Sequence, residues 1–208
     1  MECDGPAVEV VAQVDDVETL CRRTGAFALR RAADHAERAD LWRGRKSAFA
    51  AVGRISPNYI VQDGVIPRTR LAEVLHDIGE LGRDAGIRVA NVFHAGDGNL
   101  HPLVLYDARV PGAALAAEEV SGAILDLCVA HGGSITGEHG VGVDKATKLP
   151  RMFSADDLDT MQLVRCAFDP RHLANPGKVF PTPRLCGEQP RHREAEAVPA
   201  VPTGTELW

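Results

Sequence analysis

The sequence has no run of about 20 apolar residues, the length that a helix needs to cross a bilayer. Its first residues, MECDGPAVEVV, also lack the basic and then apolar segments that are typical of a signal peptide. It carries no excess of positive charge, because the formal net charge is -6 at pH 7, and no nucleic-acid partner is expected. We therefore expect a soluble, cytoplasmic protein without a transmembrane segment.

The cysteines form no recognisable pattern. They are Cys3, Cys21, Cys128, Cys166 and Cys186, an odd number with wide spacing and no C-x-x-C pair. This distribution predicts neither a disulfide framework nor an iron-sulfur or structural zinc site, and we expect most cysteines to be small buried hydrophobic residues. The sequence also has no Walker loop, no G-x-G-x-x-G after a strand, no H-E-x-x-H and no G-x-S-x-G.

The spacing of apolar residues predicts alternating helices and strands. Helices are expected over residues 7–25, 32–52, 67–85, 113–130 and 155–168, and strands over residues 58–66, 87–93 and 100–106. The last two strands are joined by the turn Ala95-Gly96-Asp97-Gly98-Asn99, a connection too short for a parallel crossover, which predicts an antiparallel hairpin. We predict an α+β fold with helices packed on one face of an antiparallel sheet. Residues 182–208, rich in proline, arginine and glutamate, are predicted to form a disordered tail.

Two histidines flank a glycine-rich turn in the segment His94-Ala95-Gly96-Asp97-Gly98-Asn99-Leu100-His101. If the turn is centred between Gly96 and Asn99, His94 and His101 face each other across the hairpin and point to the same side. Two imidazoles usually need a carboxylate to complete a divalent metal site. The candidate carboxylate is Glu138, between glycines, and we expect the adjacent His139 to point elsewhere.

A histidine near neutrality can also move a proton, so the two clusters could divide metal binding and proton transfer. The alternative is that the histidines only hydrogen-bond around a turn, and that Glu138 lies on a solvated loop. Arg43, Arg45 and Lys46 are the best candidates for binding a carboxylate, although they could equally form a solvated helix face. The turn Asn175-Pro176-Gly177-Lys178 could offer donors to a ligand.

Three segments in this order carry a family resemblance: His94-x-Gly-Asp-Gly-Asn-x-His101, Gly137-Glu138-His139-Gly140 and Asn175-Pro176-Gly177-Lys178. They resemble the carboxyl-terminal domain of FAD-linked oxidases of the vanillyl-alcohol oxidase type. Within that family, the residues from Leu41 to Pro57 and the segment Asp63-Gly64-Val65-Ile66-Pro67 are similar to the FAD-linked subunits of glycolate oxidases. The resemblance assigns residues 1–181 to a cap domain with a ferredoxin-like fold.

The resemblance also implies the roles of site residues. His94, His101 and Glu138 would bind a zinc, manganese or iron ion, and His139 would accept a proton during catalysis. Arg45 would bind the substrate carboxylate.

Asn175 and Lys178 would lie where the chain returns to the flavin, as cofactor-binding residues. Two positions differ from relatives that act on longer dicarboxylates, because Phe49 replaces a threonine and Val61 replaces a lysine. These differences favour a small substrate.

The implied activity is oxidation of a small 2-hydroxy acid, such as glycolate or D-lactate, with hydride transfer to FAD. The family's amino-terminal FAD-binding half is not in this sequence. The expected partners are therefore a polypeptide with that half and an iron-sulfur subunit of a glycolate oxidase complex, which could hold the chain at the inner face of the membrane. Two other functions stay open: a non-catalytic metal-binding or assembly subunit, or truncated product, and a metal-dependent hydrolase or non-haem iron oxygenase.

Overall fold

A computed structural model of the protein describes residues 1–181 and Cys186. The chain divides into two compact units, Met1–Ala51 and a second unit that begins at Val52. The prediction of a disordered tail at residues 182–208 lies outside the described residues, except at Cys186. The assignment of residues 1–181 to one cap domain stays a prediction.

The first unit contains helices α1 (Ala7–Arg23) and α2 (His35–Lys46). The predicted helix over residues 32–52 is in fact two helices. Helix α2 ends with Ser47 as its C-cap, and a short helix, α3 (Ala48–Val52), follows. Helix α2 begins three residues later than predicted because Asp34 is its N-cap. The Asp34 carboxylate accepts a hydrogen bond of 2.8 Å from the Glu37 N–H. Leu41 and Trp42 of α2 are both 39% exposed.

The sheet of the second unit is antiparallel, as predicted. Its strands are β1 (Asn58–Val61), β2 (Gly64–Val65), β3 (Val89–His94) and β4 (Asn99–Tyr106). Strand β4 is central: it pairs with β3 on one edge, and with both β1 and β2 on the other. Strands β3 and β4 form the predicted hairpin.

A single strand was predicted over residues 58–66, but the ladder is interrupted at Gln62 and Asp63. The register on both sides is the same, since Val61 lies opposite Leu103 and Gly64 lies opposite Leu100. Gln62 donates its N–H to the Pro102 carbonyl at 3.0 Å, but proline has no N–H to return. The Gln62 carbonyl therefore receives no hydrogen bond from the residue opposite it in β4, and it can accept one from a side chain instead.

Helices cover one face of this sheet, as predicted. The predicted helix over residues 67–85 consists of a 3-10 turn, Arg68–Arg70, followed by α4 (Leu71–Asp84), and α5 is Ala113–Ala130. Leu100 and Val104 of β4 belong to one buried cluster with apolar side chains of α4 and α5. Because side chains alternate along a strand, His101 and Leu103 point to the opposite face. In the described part of the chain, no helix is long and apolar enough to span a bilayer.

A second buried cluster joins α5 to the carboxyl-terminal part of the described chain. Its buried members are Leu125, Ile135, Leu149 and Phe180. Helix α6 (Ala155–Phe168) packs at its edge through partly buried side chains. Ser154 caps this helix and forms a full capping box with Asp157.

Replacing Ser154 by alanine removes the side-chain oxygen that accepts the Asp157 N–H at 3.2 Å. We expect a loss of about 1 kcal/mol in the free energy of unfolding, since lost caps of this type cost about that amount. Urea denaturation checks this value. Thr160→Ala is the matched control, because its hydroxyl bonds a helix carbonyl away from the cap.

The cysteines differ from the prediction. Cys166 and Cys186 form a disulfide, with Cα atoms 5.4 Å apart. Of the free cysteines, Cys128 is buried, whereas Cys3 and Cys21 are only half-buried. Burial raises the pKa of the Cys128 thiol to about 11, so this cysteine behaves as the small hydrophobic residue that was expected.

Candidate metal centre

The β3–β4 hairpin places His94 and His101 on one face of the sheet. The predicted register is wrong by two residues, because His94 lies opposite Asn99, and Val92 lies opposite His101. The turn is therefore centred earlier than expected. The two histidines still point to the same side, since residues two apart on a strand share a face, and they are diagonal neighbours rather than a direct pair.

The backbone of Gly98 explains this register. Gly98 has a φ of 72°, a left-handed conformation that favours glycine. Its N–H donates to the His94 carbonyl at 3.0 Å, which closes the turn directly after β3. A Cβ at this position would also clash with the Ile66 carbonyl oxygen.

The loop that carries Glu138 is fixed by a buried carboxylate, Asp63. Oδ2 of Asp63 accepts hydrogen bonds from the backbone N–H of Gly137 at 2.9 Å, of Glu138 at 3.0 Å and of His139 at 2.8 Å. The Thr136 hydroxyl donates to the same oxygen at 2.8 Å. Successive N–H groups that converge on one anion form a nest, so Asp63 determines the path of this loop.

Asp63 is an acid of unusual strength. Burial favours its neutral form, but hydrogen bonds from the backbone of His139, the Thr136 hydroxyl and the backbone of Glu138 outweigh burial and hold the pKa well below its ordinary value. The Lys145 ammonium lies 3.7 Å from Oδ2. Burial lowers the pKa of Lys145, and the charge of Asp63 opposes that change.

Sequence reasoning did not assign a role to Asp63 or Lys145. The sequence feature that could have drawn attention to Asp63 is its place inside the mostly apolar segment Ile60-Val61-Gln62-Asp63-Gly64-Val65. A carboxylate buried in a predicted strand needs hydrogen-bond or charge partners. Those partners lie more than 70 residues along the chain, at Thr136 to His139, and no local pattern points to them.

The Glu138 carboxylate lies between the two hairpin histidines, but the donor atoms that all lie within 4.8 Å of one another belong to Asp63, His101, Glu138 and His139, and His94 is not in that group. Nε2 of His101 lies 3.6 Å from one carboxylate oxygen of Glu138, and Nε2 of His94 lies 3.9 Å from the other. The two imidazole rings meet edge to face, with centroids 5.5 Å apart. His94 and Glu138 are 44% and 53% exposed, whereas His101 is 4% exposed, so the cluster opens to solvent on one side.

The tautomer of His101 follows from its surroundings. Nδ1 lies 3.3 Å from the Gln62 carbonyl, the group left free by Pro102, and 4.0 Å from Oδ1 of Asp63. Both neighbours are acceptors, so a neutral ring with its proton on Nδ1 satisfies them and leaves Nε2, the nitrogen nearer Glu138, as the one that could bind a metal. Metal-binding histidines are oriented in this way by a carbonyl or carboxylate behind them.

His139 was expected to point away from the cluster, and this expectation is wrong. Its ring stacks on that of His101, with centroids 5.2 Å apart and planes 14° from parallel. The Asp63 bond to the His139 N–H fixes the backbone where this ring starts. The side chain is exposed, so it can exchange protons with a bound molecule or with water.

These donors fit a divalent ion. Ligands about 2.1 Å from a tetrahedral ion lie about 3.4 Å from one another, close to the spacing of the His101 and Glu138 donor atoms. Asp63 also lies near His101: Oδ2 accepts the backbone N–H groups, and Oδ1 lies 4.0 Å from Nδ1 of His101. Gly137 permits the close approach, since a Cβ there would lie 2.6 Å from a Val65 methyl group.

The other candidate residues belong to other elements of the chain. Arg45 is a half-buried residue of α2 in the first unit, where it lines a groove with Leu41 and Trp42. Asn175 and Lys178 lie on an exposed turn after α6, and the Arg165 guanidinium donates to the Asn175 carbonyl at 3.2 Å. The roles of Arg45, Asn175 and Lys178 stay predictions.

An antiparallel sheet backed by helices, with two hairpin histidines facing a glycine-flanked glutamate, defines a class of α+β domain with a metal-type donor set. The sequence matches the family described as FAD linked oxidases, C-terminal domain, over residues 1–179. The chain belongs to this family.

Curated relatives agree with that assignment. The chain is 50% identical over 187 residues to the glycolate oxidase subunit GlcD of Escherichia coli K12. The aligned residues make up 90% of this chain and 38% of the relative. The GlcD subunit of Bacillus subtilis is 34% identical over 180 residues, covering 86% of this chain and 38% of the relative. A mitochondrial D-lactate dehydrogenase (cytochrome) of Arabidopsis thaliana is 30% identical over 149 residues, covering 71% of this chain and 26% of the relative. The chain thus spans well under half the length of these relatives.

Proposed function

We propose that this chain is the substrate- and metal-binding part of a flavin-dependent dehydrogenase that oxidises a small 2-hydroxy acid, such as glycolate or D-lactate. The observation that carries the proposal is the Glu138 carboxylate, 3.6 Å from Nε2 of His101 and 3.9 Å from Nε2 of His94, beside the His139 imidazole that stacks on His101. Membership of the FAD-linked oxidase family favours this chemistry over a hydrolase or a non-haem oxygenase. The flavin is held by the FAD-binding half, outside this sequence.

The exposure and orientation of the site residues indicate which would bind the metal and which would accept the proton. When bound, FAD would accept the hydride from the α-carbon, and a divalent zinc, manganese or iron ion would lower the pKa of the substrate hydroxyl. His94, His101 and Glu138 would hold the ion. His139, which is exposed and stacked on a ligand rather than serving as one, accepts the hydroxyl proton.

The remaining assignments follow from the family resemblance. Arg45 binds the substrate carboxylate with its two parallel donors, and Asn175 and Lys178 contact the flavin side. Phe49 and Val61 supply no charge for a second carboxylate, which is why a small monocarboxylate is proposed. An iron-sulfur subunit and a cytoplasmic location also stay predictions.

Replacing His139 by glutamine tests the proton acceptor. The chain is combined with a polypeptide that supplies the FAD-binding half, and glycolate or D-lactate is added without oxygen. We expect the loss of flavin absorbance to slow by about 10²–10⁴-fold in the variant, the usual contribution of a positioned base, while metal content is unchanged. The matched control, His76→Gln, changes an exposed histidine of α4 that pairs with nearby Glu80, and its rate should stay normal.

Two results would contradict the proposal. Full turnover by this chain with free FAD alone would show that the flavin site is not supplied from elsewhere. Stoichiometric metal without flavin reduction by any small 2-hydroxy acid, in the presence of the FAD-binding half, would instead support a non-catalytic metal-binding or assembly subunit.

A further inference from the structure

A second cluster of metal-binding side chains lies in the carboxyl-terminal part of the described chain. It comprises Cys166 near the end of α6, His172 in the turn that follows, and Cys186. One ligand atom from each, the two sulfurs and a ring nitrogen, all lie within 4.8 Å of one another. All three residues are half-buried, and none belongs to the histidine-glutamate centre described above.

The turn after α6 holds the His172 ring against the sulfurs. The Asp169 carboxylate accepts the N–H groups of Leu173 and Ala174, each at 2.9 Å, and the Asp169 carbonyl accepts the His172 N–H at 3.1 Å. His172 itself has a φ of 53°, an uncommon left-handed conformation for a residue other than glycine. The backbone therefore fixes where this imidazole starts.

The ring nitrogen that meets the sulfurs is the one that a metal requires. Nε2 of His172 accepts the Cys186 backbone N–H at 3.0 Å and lies 2.8 Å from the Cys186 sulfur. A nitrogen that accepts a hydrogen bond carries a lone pair, so the proton of the neutral ring is on Nδ1. The cluster thus offers two sulfurs and one unprotonated imidazole nitrogen.

We propose that Cys166, His172 and Cys186 form a redox-dependent zinc site, and that the disulfide is its oxidised, metal-free form. Reduction by a dithiol transfers two electrons and two protons to the disulfide, and the dithiol becomes a disulfide. Zn²⁺ then replaces the two thiol protons, which pass to solvent, and binds both thiolates and Nε2 of His172. Water takes the fourth position of the tetrahedron.

The ligand set explains why this site would differ from the histidine-glutamate centre. Thiolates are soft ligands that select zinc, whereas a site of two imidazoles and a carboxylate is also suited to iron or manganese. In a reducing compartment, where disulfides rarely persist, the metal would keep Cys186 attached to α6. In oxidising conditions the disulfide would make the same connection.

Cobalt substitution tests the site, because Co²⁺ bound by thiolates gives an intense sulfur-to-metal charge-transfer absorption in the near ultraviolet. The full chain is used in a His101→Ala background, which disables the other metal centre. After reduction, we expect one equivalent of Co²⁺ with this absorption, and oxidation should abolish it. Zn²⁺ should displace the cobalt.

Variants assign the ligands. Cys186→Ser and His172→Asn should each weaken Co²⁺ binding by at least tenfold, and asparagine is chosen because it tolerates the left-handed backbone. Cys21→Ser, which changes a half-buried free cysteine of α1, is the matched control and should bind normally. The proposal is wrong if the reduced chain shows no thiolate absorption, or if Cys186→Ser keeps it. Circular dichroism confirms that each variant is folded.

Discussion

Replacing His101 by alanine is expected to weaken divalent-metal binding at the histidine-glutamate centre by more than about 100-fold. Loss of an outer partner of a metal ligand alone costs about 10–100-fold, and His101 is itself a ligand in this proposal. It is also the most buried of the three ligands, and its orientation is fixed by the Gln62 carbonyl. Equilibrium dialysis with Zn²⁺ or Mn²⁺ measures the change.

The measurement needs the oxidised chain, because the closed Cys166–Cys186 disulfide removes the second set of donors. His76→Ala is the matched control, since this histidine is 69% exposed on α4, and its metal affinity should match the wild type. His139→Ala should also keep most of the metal. Equal metal affinity in the wild type and the His101 variant would show that these imidazoles do not bind the ion.

Much of the site was predictable from sequence because its parts are local. The hairpin histidines lie seven residues apart, and their shared face follows from strand alternation even though the predicted register is wrong. The error came from the turn, where Gly96 and Gly98 both allow a tight reversal. The left-handed conformation of Gly98, seen only in the structure, decides which of the two possible turn positions is used.

The features that sequence reasoning missed depend on contacts between distant residues. The interruption of the predicted strand at Gln62 arises from Pro102, which lies opposite in the sheet and has no N–H. The Cys166–Cys186 pair was missed for a similar reason, since spacing alone does not show which half-cystines meet. His139 was misplaced because the bond that fixes its backbone comes from Asp63.

Replacing Asp63 by asparagine is expected to lower the free energy of unfolding by about 3–5 kcal/mol, the usual cost of removing one partner of a buried charged group. The amide oxygen can replace Oδ2, but the NH₂ would then stand at the place of Oδ1 and face the Glu138 N–H, which lies 3.2 Å from Oδ1. Lys145 would lose its buried counter-charge. Denaturant unfolding in EDTA measures the loss without a metal contribution.

The pH dependence separates the charge of Asp63 from a general packing defect. Its folded pKa is depressed, so the stability that it contributes is present above the unfolded value of about 3.9 and is lost as the pH falls towards the folded value. The difference in unfolding free energy between the wild type and the asparagine variant should therefore shrink below about pH 4. A difference that stays constant down to acid unfolding would contradict an electrostatic role. Asp107→Asn, which breaks a solvent-screened pair with Arg109, should cost much less than Asp63→Asn, so only the buried carboxylate carries the large effect.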